Sequence, residues 1–263
     1  MLRLVALALI VAALPAGAQT RAVAAPCAAN PDALGTARVL EVDAQSTPQV
    51  GRKHFPATLP LAPQEIVLTF DDGPWPTTTP KVLDALKREC VRATFFLLGQ
   101  HAEEHPALAR RIFAEGHTVA HHTYSHKILT KLPIAAAEAE IDRGVAEDDY
   151  AVYGQRRKEP ATPFFRFPGF AGTPALLALL NRRGIVVFGA DVWASDWNPM
   201  TPQEELKLIV GRIEKNRGGI VLFHDTKAQT AAMLPDFLRE MKRRGYRVVH
   251  VVPAGSRGAM RSE

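Results

Sequence analysis

Ile66-Val67-Leu68-Thr69-Phe70-Asp71-Asp72-Gly73-Pro74 is the stretch on which the reading of this chain turns. Its apolar first half reads as a short buried strand, and Gly73-Pro74 breaks it, so Asp71 and Asp72 emerge together at the strand's C-terminal end. Adjacent carboxylates repel, and placing them side by side is favourable mainly where a cation or a proton is held. In an α/β barrel that end of a strand carries the chemistry. The competing reading is a solvated Asp-Asp-Gly turn without function.

Beyond this strand the pattern repeats. Further strand candidates are Ala93 to Leu98, Thr118 to His121, Phe164 to Phe167, Ile185 to Ala190, Gly219 to Phe223 and Tyr246 to Val251, with helical stretches between most of them. Strands joined by helical crossovers imply an α/β fold with a parallel barrel or sheet. Thr173-Pro174 reads as an N-cap with Pro at the first helical position, stopped at Gly184, and Thr201-Pro202-Gln203-Glu204 as a capping box. Residues 19–62 are rich in Ala, Pro and Gly with little periodicity and read as an irregular N-terminal arm; residues 63–263 form the main domain.

The chain has 263 residues, 47% of them hydrophobic, which is enough for one large core or two modest ones. Residues 1–18 place Arg3 before an apolar run and end on small residues, the pattern of a signal peptide cleaved before Gln19; the run is too short to span a bilayer. The expectation is a secreted or periplasmic protein without stable membrane insertion. A retained anchor and a lipid-modified Cys27 are the alternatives. Cys27 and Cys90 are the only cysteines, and in an oxidising compartment such a pair reads as a disulfide tying the arm to the first helix, or else as two free thiols. The net charge of +5 is mild, and no basic stripe interleaved with aromatics is present, so nucleic acid is not expected as a partner. Nothing in the sequence sets an oligomeric state.

A second cluster, His121-His122-Thr123-Tyr124-Ser125-His126, holds two imidazoles four residues apart. On a helical turn His122 and His126 would share a face. Two His and one carboxylate with open positions is the pattern of a catalytic metal site, since a closed shell leaves no room for water.

In order and rough spacing, Thr69-Phe70-Asp71-Asp72-Gly73-Pro74, His122-Thr123-Tyr124-Ser125-His126, Arg166-Phe167-Pro168-Gly169, Asp196-Trp197 and Leu222-Phe223-His224-Asp225 resemble the motifs of the polysaccharide deacetylase family, the NodB-homology or chitin-deacetylase-like carbohydrate esterases. The resemblance covers about Glu65 to Val251. It implies a distorted (β/α) barrel of about seven strands and a metal-dependent removal of acetyl groups, N-acetyl foremost, from a glycan such as chitooligosaccharide or peptidoglycan. Asp72, His122 and His126 then resemble the ligands of a divalent metal, Zn²⁺ first, with Co²⁺ or another divalent ion as alternatives. Asp71 resembles the general base, with Arg166 as its partner. His224 resembles the general acid, and Asp196 the carboxylate that orients it. Trp197 and Leu222 match positions lining a pocket for the acetyl methyl.

The third motif departs from the family, in which Arg-Pro-Pro precedes an aromatic residue. Here that place is Gly169, which keeps the backbone N–H that would help hold an oxyanion but lacks the sugar-contacting side chain. His101, His105, His117 and His121 have no motif partner and read as structural or surface residues. Asp191 opens a longer form of the fourth motif, but spacing favours Asp196. Two rival readings remain: a glycan-binding protein that has kept the cleft without turnover, and an amidohydrolase of the same superfamily acting on a small cyclic amide.

Overall fold

The computed structural model describes Cys27 and residues 30–256; the expected leader, residues 1–18, lies outside them. In chain order the elements are β1 (Thr36–Val42), β2 (Gln49–Val50), β3 (Glu65–Asp71), α1 (Thr79–Arg88), β4 (Thr94–Leu97), α2 (Gly99–Glu104), α3 (Pro106–Ala114), β5 (Thr118–His121) and α4 (Ile134–Tyr153). They continue as β6 (Phe164–Phe165), α5 (Pro174–Arg182), β7 (Val186–Phe188), β8 (Val192–Trp193), α6 (Pro202–Asn216), β9 (Gly218–His224), α7 (Ala228–Arg243) and β10 (Arg247–Pro253). All seven strands read from the sequence are present.

Every ladder is parallel, and the strands run β8-β9-β3-β4-β5-β6-β7 around a distorted barrel. Among the described residues no ladder joins β7 to β8, so the barrel is open along that seam, and β2 lies on its β7 side. Parallel strands connected by helices are covered on both faces, which explains their continuous apolar runs. In β3, Ile66, Leu68 and Phe70 pack outward among α1, α6 and α7, while Val67 belongs to the interior cluster with Phe96, Phe164, Phe188 and Ile220. By the twofold alternation of a strand, Thr69 and Asp71 follow Val67 into the barrel. The C-terminal ends of β3, β5, β6, β8 and β9 therefore gather Asp71, His122, Arg166, Asp196 and His224 at one mouth.

The arm is not irregular throughout. Thr36–Val42 pairs in parallel with β10, burying Thr36, Leu40 and Val42, and Gln49–Val50 pairs with β7. These strands are short or lie at an edge, so their two-residue periodicity is too brief to stand out from the surrounding Ala and Pro. Cys27 and Cys90 are disulfide-bonded, with a Cα–Cα separation of 5.7 Å. Among the described residues no helix is long and apolar enough to cross a membrane.

The helix signals hold in detail. The Thr173 hydroxyl accepts from the Leu176 N–H. Thr201 Oγ1 accepts from the Glu204 N–H at 3.2 Å, and Glu204 Oε2 accepts from the Thr201 N–H at 2.7 Å, a reciprocal capping box. Thr201→Ala removes one of these bonds and should lower stability by about 1 kcal/mol. An earlier urea midpoint at unchanged slope is the expected readout, and an unmoved midpoint would contradict it.

Candidate active site

Asp72, directly after β3, is at φ +76°, a left-handed conformation that Asp tolerates better than most residues. Its carbonyl accepts from His101 Nδ1–H at 2.6 Å, so His101, without a motif partner in the sequence, fixes the backbone of the acid doublet. Asp72 Oδ1 lies 3.6 Å from His122 Nε2 and 3.5 Å from His126 Nε2. The ligand atoms of these three residues all lie within 4.8 Å of one another. Two ligands of one tetrahedral Zn²⁺ stand roughly 3.3 Å apart, so the set fits such an ion. Asp72 Oδ1 is buried without a hydrogen-bond partner, an expensive arrangement for a carboxylate unless a cation satisfies it.

The two imidazoles do not share a helical face. β5 ends at His121, and the loop that follows turns through Thr123 at φ +71° and His126 at φ +60°, bringing the two rings to a centroid distance of 5.1 Å. Helix α4 holds the loop: Glu140 accepts from the Ser125 N–H and hydroxyl at 3.1 and 3.0 Å, and its carbonyl accepts from the Tyr124 N–H at 3.0 Å. Gly144 makes this approach feasible, because a Cβ there would lie 2.5 Å from the Thr123 carbonyl carbon. His122 Nδ1–H donates to the Arg166 carbonyl at 2.7 Å, which leaves the Nε2 lone pair facing Asp72. Burial pulls His122 down to about 3, against the opposing charge of Asp72, so the ring is neutral, the form that ligates metal.

Asp71 sits beside this triad, with Oδ2 3.8 Å from His122 Nε2. Its Oδ1 accepts from the fully buried guanidinium of Arg166 at 2.6 Å. Burial raises the Asp71 carboxyl above its ordinary value, while Arg166 and then His224 and His126 favour the ionised form. The two acids are reconciled by different partners, a guanidinium for one and imidazoles for the other.

Across the mouth, Asp196 accepts from the His224 N–H at 2.7 Å and from its Nδ1–H at 2.8 Å, leaving Nε2 3.9 Å from Asp72 Oδ2. Thr230 Oγ1 contacts both Asp196 at 2.9 Å and the buried Glu205 at 2.8 Å. Burial by itself would lower the His224 pKa, but the hydrogen bond and charge of Asp196, with Asp72 and Asp71 behind it, push it up to about 9.

Asp71, Asp72, His122, His126 and His224 line an open cleft of about 560 Å³ together with Gly169, Trp197 and Leu222. Trp197 is exposed and stands edge-on to His224 at 5.9 Å, whereas Leu222 is buried. The cleft also holds His54, Phe170, Trp193 and Lys227, which the sequence reading missed. Phe170, next to Gly169, supplies aromatic surface one residue away from the expected place, and the glycine beside it was the available signal. Asp191 lies outside the cleft, buried, where it accepts from Arg52 N–H, Thr58 Oγ1–H and Ile220 N–H at 2.8, 2.7 and 2.8 Å.

In metal-free protein, Asp196→Asn should bring the His224 titration down from about 9 toward its ordinary 6.5, as followed by NMR of the imidazole resonances. Because folding raises this pKa, the group's stabilising contribution is full below pH 6.5 and is lost as pH rises through about 9; the variant should lack that loss. A titration unmoved by the substitution would show that Asp196 does not set the charge of His224.

The polysaccharide deacetylase family model matches residues 59–188. The peptidoglycan-N-acetylglucosamine deacetylase of Bacillus cereus is 32% identical over 192 residues, covering 71% of this chain and 85% of that protein. PgdA, the peptidoglycan-N-acetylglucosamine deacetylase of Listeria monocytogenes, is 32% identical over 209 residues, or 77% of this chain, which spans only 42% of PgdA's length. Among solved structures, a peptidoglycan deacetylase of Bdellovibrio bacteriovorus superposes with a TM-score of 0.73 at 30% identity, covering 83% of this chain and 59% of that one. By fold, motif order and these likenesses, the chain belongs to the polysaccharide deacetylase family.

Proposed function

We propose that this protein hydrolyses acetyl groups, N-acetyl foremost, from an extracytoplasmic glycan. Peptidoglycan is the first candidate, because the relatives' names specify it, and chitooligosaccharide the second. In this reading residues 1–18 export the chain, 19–62 form the arm, and 63–263 carry catalysis. The observation that carries the reading is the orphaned Asp72 Oδ1 facing two imidazoles, with a buried Asp71–Arg166 pair on one side and a His224–Asp196 pair on the other.

Asp72, His122 and His126 would hold a divalent metal, Zn²⁺ or else Co²⁺ or another divalent ion. Such an ion supplies Lewis acidity, lowering the pKa of water toward about 7 and polarising a carbonyl. The residues of the chain divide the remaining work. Asp71 Oδ2, the oxygen not engaged by Arg166, takes the proton from the attacking water, and Arg166 keeps the carboxylate ionised and in place. The Gly169 N–H donates to the oxyanion that develops on the acetyl carbonyl. Leu222 and Trp197 seat the methyl group. His224, charged through Asp196, gives its Nε2 proton to the leaving nitrogen as the C–N bond breaks, so that acetate and a free amine result. A histidine whose pKa is raised by its carboxylate partner arrives protonated at neutral pH, as an acid must.

Acetate release from peptidoglycan and from acetylated chitooligosaccharide, with a chelator-stripped control, tests the reading. Asp72→Ala and His126→Ala should abolish Zn²⁺ binding by calorimetry together with turnover, while the circular dichroism spectrum stays that of the parent. Asp71→Asn and His224→Ala should lower kcat by about 10²- to 10⁴-fold, with Zn²⁺ stoichiometry unchanged. Failure of the parent protein to bind any divalent metal at neutral pH would overturn the assignment.

A further inference from the structure

One residue of the N-terminal arm, His54, lines the cleft. Residues 51–58 lie across the open seam between β7 and β8. The Lys53 N–H donates to the Ala190 carbonyl at 3.0 Å, and the Gly51 carbonyl accepts from His54 and Phe55 N–H at 3.0 and 2.9 Å. Asp191 fastens the segment at both ends through the Arg52 N–H and the Thr58 hydroxyl, and a third bond from Ile220 anchors the same carboxylate to β9. The fit is close: a Cβ on Gly51, itself at φ +110°, would lie 2.5 Å from Ala190 N, and a Cβ on Gly189 would lie 3.1 Å from His54 Nδ1.

This clamp lays the His54 ring on Phe170. The two are stacked at 3.8 Å with planes 19° apart, and Trp193 adjoins both, at 5.9 and 6.1 Å. Phe170 is held at φ +57°, an unfavourable conformation for a bulky side chain and one that a chain retains where the surroundings require it. Although three aromatic rings would ordinarily be buried, His54 is exposed and Phe170 and Trp193 are only partly covered; all three line the cleft that holds Asp71, Asp72 and His224. Although the ring keeps an open face, its partial desolvation first, and then the charges of Arg166 and Lys53, lower the His54 pKa, which favours the uncharged imidazole.

We propose that His54, Phe170 and Trp193 form a sugar-stacking subsite contiguous with the acetyl-binding cleft, one that takes the pyranose ring next to the sugar bearing the reacting acetyl group. A pyranose presents apolar C–H groups on its faces, and these carry the partial positive charge that the face of an aromatic ring attracts. A largely apolar wall with a few polar groups at the reacting end is the make-up of a site for such a ligand. The subsite rests on the proposed glycan deacetylation and deepens it: the protein reads at least two consecutive sugars, and the arm supplies part of that reading.

The test compares kcat/KM for acetate release from N-acetylated chitotetraose and from diacetylchitobiose, using the full chain loaded with Zn²⁺. The parent protein should favour the longer substrate. His54→Ala should reduce that preference about 5- to 10-fold, through KM rather than kcat, and His54→Phe, which keeps the ring, should retain it. No length preference in the parent, an unchanged preference in His54→Ala, or a His54→Phe that behaves like His54→Ala would each overturn the subsite. Failure of catalysis is read separately. If no acetate appears from these substrates or from peptidoglycan, the proposed activity falls, and chitotetraose titrated against tryptophan fluorescence still decides the subsite. Quenching that weakens about 5- to 10-fold in His54→Ala supports it, and quenching equal in both proteins, or absent, overturns it.

Discussion

A guanidinium with no exposure to solvent, Arg166, is the constraint around which the mouth of the barrel is arranged. Removing such a charge from water costs several kcal/mol unless its donors are met, which here takes acceptors from separate strands. Nη1 donates to Asp71 at 2.6 Å and to Thr69 at 2.9 Å on β3, and Nη2 donates to the Gly189 carbonyl at 2.9 Å, after β7. The ring of Phe96 lies 4.2 Å beneath it, adding a cation–π contact from β4. The backbone of the same residue accepts from His122. One residue thus sets the position of the Asp71 carboxylate by its side chain and of the His122 imidazole by its carbonyl. An arginine suits this better than a lysine, because its planar fork reaches several acceptors at fixed angles.

The opposite side of the mouth solves a different electrostatic problem by a different route. Burial alone would leave His224 neutral, and a neutral ring is a poor proton donor. Asp196 reverses the balance with bonds to both the backbone and the ring of the same residue, so its two oxygens orient and charge His224 together. His122, more deeply buried, has a carbonyl rather than a carboxylate on its Nδ1 and stays neutral. Two histidines within one cleft therefore differ in charge, one with a carbonyl on its Nδ1 and the other with a carboxylate there.

Much of this was legible in the chain because the elements that matter are regular. A strand buried on both faces writes a continuous apolar run, and a break of Gly-Pro marks where it delivers its acids; the order of five short motifs then fixed the family resemblance. The capping box at Thr201 and the N-cap at Thr173 were legible for the same reason, since they are local. What failed was the geometry of irregular backbone. The spacing of His122 and His126 fits a helical turn, yet the rings meet through two left-handed residues held by Glu140 and admitted by Gly144, contacts that are 14 or more residues distant for the second histidine and invisible to any periodicity. Phe170 was hidden by a one-residue displacement of aromatic surface. His54 carried no signal, because its place depends on the pairing of a two-residue strand with β7.

The seam of the barrel explains why the arm matters to the cleft. β7 and β8 are short and unpaired with each other among the described residues, so their backbone groups need partners from elsewhere. For β7 and the residues just after it, residues 48–53 provide them: Val187 donates to the Pro48 carbonyl at 2.9 Å, Gly189 donates to Val50, and Ala190 accepts from Lys53. Once the chain is committed to filling the seam, the segment that fills it must pass the C-terminal rim of β7, where the cleft begins. Its side chains become cleft wall as a consequence of backbone hydrogen bonding. A closed barrel would have needed no such filler and would have left Phe170 and Trp193 without the imidazole that stacks against them.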